Sequence, residues 1–159
     1  MKKIILMSFV ASIAMMAGGN VSSDLPAVAK VANQYQADDT FFDDRTGLMW
    51  QDEKYTPKEY GAFKNNKTVG KVGNHRHAVV YCRSLNYAGY SDWRLPTKAE
   101  LMEVHRIFGQ VFKHSSDNDF WTSTPGMGSK YYVVYPSDAY PYERKPSQSN
   151  YIRCVRGGN

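Results

Sequence analysis

Two cysteines, Cys82 and Cys154, constrain the fold of this chain more than any other feature. An even number of cysteines in an oxidising compartment predicts one structural disulfide. That bridge closes a loop of about 72 residues and stabilises the fold by roughly 4 kcal/mol on the chain-entropy estimate. A redox pair or a metal site is the alternative, but no Cys-x-x-Cys occurs and no histidine lies beside either cysteine at ligand spacing. We therefore expect a Cys82–Cys154 bridge, provided that the chain is exported.

The N-terminus predicts export. Lys2 and Lys3 form a basic start, and residues 4–17 form an uncharged apolar run that is shorter than the about 20 residues of a membrane span. Small residues follow, so residues 1–19 are typical of a secretory signal peptide cleaved after Gly19. We expect a periplasmic or extracellular chain with no stable membrane span after cleavage, a leader at 20–39 and one domain at 40–157. The alternative is an uncleaved anchor helix.

Composition and charge exclude several classes of protein. The sequence is 42% hydrophobic, which is too high for a disordered chain, and its length suits one compact domain. Lysine and arginine number 20 against 15 acidic residues, and removal of Lys2 and Lys3 leaves a net charge of about +3. A dedicated nucleic-acid binder carries a larger and more clustered excess, so we expect no nucleic-acid partner.

Local signals predict a hairpin followed by two helices. Turn-forming residues ending in Gly47 separate two short apolar runs, which predicts a β-hairpin with Gly47 at positive φ. Asn74 is placed to cap a helix over about 75–86, which carries Cys82 on its buried face. The sequence at 97–100 forms a capping box that opens a second helix to about residue 108.

The second half of the chain predicts strands. Aromatic and β-branched residues bounded by turn formers indicate strands at 119–123, 131–135 and 151–156. Residues 52–73 and 136–150 are expected to be surface loops. The resulting class is α+β, with both ends of the chain in one sheet and the cystine joining the first predicted helix to the last strand.

Six short segments then resemble a known family. They include the block Gly-Tyr-Ser-Asp-Trp-Arg-Leu-Pro-Thr at 89–97. The segments lie at 46–50, 81–85, 88–97, 100–101, 120–124 and 153–156. In this order they resemble the C-terminal domain family of the Legionella collagen-like (Lcl) protein, over 40–157. The resemblance implies a C-type-lectin-like fold with two helices packed on short antiparallel sheets and one disulfide. It also implies exported domains, some of them linked to adhesion and glycosaminoglycan binding.

The most recognisable residues are expected to be architectural. Trp93 would fill the core between helices and sheet, and Arg94 would pair with a carboxylate or with backbone carbonyls. Ligand contact is the alternative role. The structural motif residues are Trp50, Trp93, Arg94, Pro96 and Trp121.

Catalytic and metal-binding chemistry is weakly indicated. His75 and His77 are spaced for one side of a strand, not of a helix, so we favour a solvated helix start over a metal site. Residues 117–119 are rich in oxygen ligands, but they lack the tripeptides of calcium-dependent sugar-binding lectins, and we favour a turn. No nucleophile motif is present, so we expect no enzyme, no cofactor and no metal.

Two surface segments are the candidate binding residues, because cations attract anions and aromatic rings stack on sugars. The first is basic and comprises Lys64, Lys67, Lys71 and Arg76; the second is aromatic and basic and comprises Tyr140, Tyr142, Arg144 and Lys145. They predict a non-catalytic, calcium-independent domain that binds an anionic glycan in adhesion. The alternative is a protein-interaction module or an accessory subunit of a bacterial envelope assembly, and solvated loops without a ligand are the simplest reading.

Overall fold

A computed structural model describes residues 35–36, 39–108 and 111–157. The predicted signal peptide and most of the predicted leader lie outside these residues. The helices are α1 (Pro57–Lys64), α2 (His75–Ser84) and α3 (Lys98–Phe108). The strands are β1 (Tyr35–Gln36), β2 (Thr40–Asp43), β3 (Leu48–Gln51), β4 (Val72–Gly73), β5 (Phe120–Pro125), β6 (Tyr131–Tyr135), β7 (Tyr140–Arg144), β8 (Asn150–Tyr151) and β9 (Val155–Gly157).

The first sheet joins the two ends of the domain. Its strand order is β1-β2-β3-β9, and every pairing is antiparallel. Gly47 closes the β2–β3 hairpin at φ +67°, and its amide donates to the Asp43 carbonyl over 2.9 Å. The predicted hairpin and the shared sheet are therefore confirmed.

The second sheet has the order β4-β8-β5-β6-β7. Strands β5 and β8 are parallel, with Phe120 opposite Tyr151, and the other pairs are antiparallel. The continuous strand predicted at 151–156 is wrong, because the chain leaves this sheet after Tyr151 and enters the first sheet at Val155. The crossing residues 152–154 are all buried, which explains why they resemble a strand in sequence.

Helices α2 and α3 form where their caps predict them. Asn74 accepts a hydrogen bond from the His77 amide at 2.9 Å and begins α2. The helix ends at Ser84, two residues before the predicted end, because Leu85 is already extended. At the start of α3, the Thr97 amide donates to Glu100 Oε2 over 2.8 Å, and the Glu100 amide donates to Thr97 Oγ1 over 3.2 Å.

Both predicted loops contain regular structure, so these two predictions are wrong. The loop at 52–73 contains α1 and β4; α1 starts at a capping box between Thr56 and Glu59, with Pro57 at its first position. Helix α1 buries only Glu59 and Ala62, so no apolar stripe marks it in sequence. The loop at 136–150 contains β7, an edge strand, where a proline such as Pro141 is tolerated.

The disulfide connects α2 to the segment that crosses between the sheets. Cys82 and Cys154 are bridged, with their Cα atoms 5.5 Å apart, and both are fully buried. Trp93 and Trp121 pack in the same core cluster, and Trp50 belongs to a second cluster. The predicted bridge and the α+β class are confirmed, with a third helix in addition to the two expected. The C-type-lectin-like fold stays a prediction from the family resemblance.

Arg94 has the structural partner that the sequence predicts. Its guanidinium forms two hydrogen bonds with the Glu100 carboxylate, at 2.6 and 2.9 Å. Because Glu100 also belongs to the capping box, this pair attaches the motif segment at 89–97 to the start of α3. Pro96 is buried beside it, and its carbonyl accepts a hydrogen bond from the Ser123 amide at 2.7 Å.

Candidate functional site

A groove of about 660 Å³ separates the C-terminal end of α1 from β7. It brings together parts of the two segments that the sequence selects as binding surfaces. The residues that line it are Phe63, Asn66, Asn118, Asp119, Tyr135, Tyr142, Arg144, Gln148, Ser149 and Asn150.

Ser149 holds the two walls of the groove together. Its amide donates to Asn66 Oδ1 over 2.6 Å, and its hydroxyl donates to the Lys67 carbonyl over 2.7 Å. The turn before it is closed by the Gln148 amide, which donates to the Lys145 carbonyl, and by the Lys145 amide, which donates to Gln148 Oε1, both over 3.0 Å. The two bonds of Ser149 join positions that are 83 and 82 residues apart in the chain.

Arg144 and Asp119 form the charged centre of the groove. Arg144 Nη2 lies 2.6 Å from Asp119 Oδ2, and the two side chains are 34% and 12% exposed. Burial raises the pKa of the Asp119 carboxyl, and the neighbouring Arg144 guanidinium lowers it by less. The Asp119 carboxylate thus accepts from one side of the Arg144 guanidinium, and only the other N–H groups are left for a ligand.

Two neighbouring tyrosines of β7 are exposed, and one of them, Tyr142, lines the groove. Tyr140 and Tyr142 are 58% and 37% exposed, and their ring centroids are 5.0 Å apart. The Tyr142 hydroxyl donates to Asp138 Oδ2 over 3.3 Å. The arrangement leaves aromatic surface available for stacking.

Three lysines flank the groove-lining residues in sequence: Lys64 next to Phe63, Lys67 next to Asn66, and Lys145 next to Arg144. All three are exposed. Within the described part of the chain, none of their ammonium groups has an ion-pair partner. These cations are free to attract an anion to the groove.

Lys71 is not a surface cation, and its assignment to the binding surface is wrong. It is 4% exposed, and its Nζ lies 3.1 Å from Glu53 Oε2 and 3.6 Å from Glu59 Oε1. It also donates to the Lys54 carbonyl over 3.0 Å. Residues 69–73 pass beneath α1 to form β4, and this placement buries Lys71 among acceptors.

Arg76 is exposed but belongs to a different groove, of about 530 Å³, which it shares with Lys130 and Pro146. The neighbouring His75 is not solvated, so that prediction is wrong. It is 6% exposed, its Nε2 donates to the Thr122 carbonyl over 3.0 Å, and its ring stacks on Tyr131 at 3.4 Å. Among the described residues, no group of three or more His, Cys, Asp or Glu is placed to hold a metal ion.

The comparison with protein families now fixes the identity of the domain. The sequence matches the model of the Lcl C-terminal domain over residues 39–156. This chain belongs to the Lcl C-terminal domain family. The resemblance drawn from its motifs is thereby confirmed at the level of the family. No curated protein matches the sequence.

Several groove residues of this Lcl C-terminal domain are absent from the sequence-based candidates. Asn66, Gln148 and Asn150 are uncharged amides with no recognisable spacing. Asn118 and Asp119 belong to the oxygen-rich cluster at 117–119, which we interpreted as a turn. The sequence signal lies in position: Asp119 immediately precedes Phe120, Asn150 immediately precedes Tyr151, and Phe120 pairs with Tyr151 in the parallel strands β5 and β8, so both residues lie at the same end of these strands.

No helix among the described residues has both the length and the apolar character that a bilayer crossing requires. The disulfide is of the kind that forms in the periplasm or outside the cell.

Proposed function

We propose that this Lcl C-terminal domain is an exported, non-catalytic domain that binds an anionic glycan without calcium and acts in adhesion. The observation that carries the proposal is the convergence of two distant segments on one groove, with Lys64, Lys67 and Lys145 each adjacent in sequence to a residue that lines it. Export is supported by the disulfide and by the signal-peptide pattern at 1–19.

Charge and aromatic surface support a glycan over other small ligands. The three lysines are exposed and have no ion-pair partner among the residues that the structure describes, so they retain their attraction for an anion within about 8 Å at physiological ionic strength. Tyr140 and Tyr142 provide exposed rings, on which the apolar face of a sugar stacks. A linear polyanion would contact the lysines in succession while one of its sugars enters the groove.

The side chains within the groove support binding over catalysis. Asp119, which lines the groove, is paired with Arg144, and Asp138, which lies outside the lining residues, accepts a hydrogen bond from the Tyr142 hydroxyl. A general acid or base needs a proton that it exchanges with a substrate, whereas these carboxylates are engaged in fixed internal contacts.

A second candidate function is protein interaction, either as a module or as an accessory subunit of an envelope assembly. It is favoured by β7, which lies at the edge of the five-stranded sheet and presents exposed Tyr140 and Tyr142. An edge strand offers unpaired backbone groups to an incoming strand. Because backbone and aromatic contacts dominate such an interface, its affinity would change little with salt.

The test is a salt titration of the mature protein on immobilised heparin, with and without EDTA and with a neutral-glycan column as control. The proposal predicts retention that falls steeply with salt and is unchanged by EDTA. Absence of retention at low salt contradicts glycan binding, and pull-down from the native envelope then tests the protein partner.

A further inference from the structure

We propose that the floor of the groove is a subsite for one oxyanion of a bound sugar, a carboxylate or a sulfate, and that Asn150, Asn66, Gln148 and Arg144 donate its hydrogen bonds. The inference rests on the proposed function and adds to it the chemical group that is recognised. It begins from Asn150, which lines the groove and is 4% exposed.

The amide nitrogen of Asn150 lacks a hydrogen bond. Its Nδ2 is buried, and no described residue accepts from it. A buried donor without an acceptor costs free energy, so native proteins keep few of them and most have an assigned role. The unsatisfied donor belongs to a residue in the wall of the groove between α1 and β7. An acceptor atom supplied by a ligand would remove this cost.

In two further side-chain amides of the groove, the carbonyl oxygen already accepts a backbone hydrogen bond. The Asn66 Oδ1 atom is occupied by the Ser149 amide at 2.6 Å, and the Gln148 Oε1 atom by the Lys145 amide at 3.0 Å. A side-chain amide has one carbonyl oxygen and two N–H donors. With their oxygens bound to the backbone, Asn66 and Gln148 offer their NH₂ groups to the groove.

Arg144 adds a charged donor to these amides. Its guanidinium is one-third exposed and carries five N–H groups, which suit a carboxylate or a sulfate. One contact goes to Asp119, over 2.6 Å, and a weaker one to the Glu143 carbonyl, over 3.3 Å. The remaining N–H groups are available to a ligand.

The excess of hydrogen-bond donors over acceptors in the groove favours a ligand that only accepts hydrogen bonds. A neutral sugar hydroxyl both donates and accepts, whereas a carboxylate or sulfate only accepts. Asp119 is the carboxylate acceptor in the groove wall, and it is already paired with Arg144. An entering oxyanion therefore competes with Asp119 for the guanidinium. Asp119 is a specificity-determining residue in this account, and its replacement by a neutral amide should favour the anion.

The test uses the full mature protein and three oligosaccharides of equal length, with calorimetry as the readout. A hyaluronan hexasaccharide carries carboxylates only, a sulfated hexasaccharide without uronate carries sulfates only, and maltohexaose is neutral. We expect one or both acidic probes to bind and maltohexaose to bind at least tenfold more weakly. The difference between the acidic probes identifies the oxyanion. Equal affinity for maltohexaose contradicts the subsite.

Four variants locate the effect. Asn150→Ala and Gln148→Glu should each weaken binding of the preferred acidic probe about tenfold, the loss expected for a hydrogen bond to a charged group. Asp119→Asn should strengthen it several-fold. Asn86→Asp is the matched control, because Asn86 is exposed and lies outside the residues that line the groove, and it should change affinity less than twofold.

The outcomes separate this inference from the proposed function. Gln148 is exposed, and its replacement by glutamate keeps the bond from the Lys145 amide, so this variant folds even if Asn150→Ala does not. If the wild type binds acidic glycans and Gln148→Glu and Asp119→Asn leave the affinity unchanged, the subsite is wrong and the proposed function stands. If the wild type binds no acidic probe and no heparin, both are wrong.

Discussion

Arg153 and Asp52 form a fully buried ion pair, with Arg153 Nη1 2.7 Å from Asp52 Oδ1 and side chains 1% and 0% exposed. The carboxylate also accepts hydrogen bonds from the Lys113 amide at 2.7 Å and the His114 amide at 3.0 Å. The guanidinium lies 3.9 Å from the centre of the Phe112 ring. The pair joins the end of the hairpin, the segment after α3 and the crossing between the sheets.

Removal of one partner from this pair should destabilise the domain. Asp52→Asn is expected to lower the free energy of unfolding by about 3 kcal/mol, because it leaves the Arg153 charge buried without a counter-charge. The measurement is urea denaturation. Arg106→Gln is the control: Arg106 pairs with Glu103, the two side chains are 72% and 35% exposed, and its loss should cost under about 1 kcal/mol. Equal costs for the two variants would contradict the central role of the buried pair.

The disulfide should contribute strongly to thermal stability. The Cys82→Ser, Cys154→Ser double variant is expected to unfold roughly 10 °C below the wild type, because the unfolded chain regains the freedom of a 72-residue loop. Differential scanning calorimetry measures the difference. Reductant should lower the wild type to the level of the variant and leave the variant unchanged. An equal response of both proteins to reductant would argue against the bridge as the source.

Lys71 and Lys67 should behave in opposite ways although they are four residues apart. Lys71→Met is expected to cost about 2 kcal/mol of stability, because it leaves buried Glu59 without its cation. Lys67→Met should change stability by less than about 0.5 kcal/mol and weaken heparin binding instead. Chemical denaturation and heparin elution on the same two proteins check this. A Lys71→Met variant that is as stable as the wild type but binds heparin more weakly would show that Lys71 belongs to the binding surface after all.

His75 should make stability depend on pH. Burial lowers the pKa of its imidazole below 6.5, and the hydrogen bond to the Thr122 carbonyl opposes this shift only in part. Below pH 6.5 the unfolded chain therefore binds a proton at His75 more readily than the folded chain does. Protonation then favours unfolding, so the free energy of unfolding falls as the pH falls below 6.5. The slope it adds is at most about 1.4 kcal/mol per pH unit.

The His75→Gln variant isolates this effect. Its unfolding free energy, measured between pH 7.5 and 5, should fall less steeply than that of the wild type. His77→Gln is the control, since His77 lies two residues away and is only partly buried. Identical slopes for wild type and His75→Gln would mean that His75 is protonated in the fold without cost.

Local rules predict the elements that carry their own signals. Gly47 marks the hairpin, Asn74 caps α2 and the Thr97–Glu100 box opens α3. Helix α1 carries the same kind of start signal, the capping box between Thr56 and Glu59, but its buried face is only Glu59 and Ala62, so no apolar stripe follows the box to indicate a helix. Lys71 is wrongly assigned to the surface for a related reason. The acceptors that surround its ammonium group come together only when α1 and β4 have formed.

The groove is harder to predict because long-range contacts create it. Asn66 and Ser149 are neighbours only through a hydrogen bond between distant segments, and Asp119 and Asn150 only through the parallel pairing of β5 with β8. The sequence does place Lys64, Lys67, Arg144 and Lys145 on the two segments that meet at the groove. It does not predict that the two segments form one groove, because the groove exists only in the tertiary structure.

The most direct test of the account compares two triple variants on immobilised heparin. One replaces Lys64, Lys67 and Lys145 by glutamine, and the other replaces exposed Lys54, Lys58 and Arg83, so both lose the same charge. If the groove binds the glycan, the groove variant elutes at much lower salt, with at least tenfold weaker binding, and the control stays within twofold of the wild type. Equal losses in the two variants, or none in the groove variant, would contradict glycan recognition at this groove.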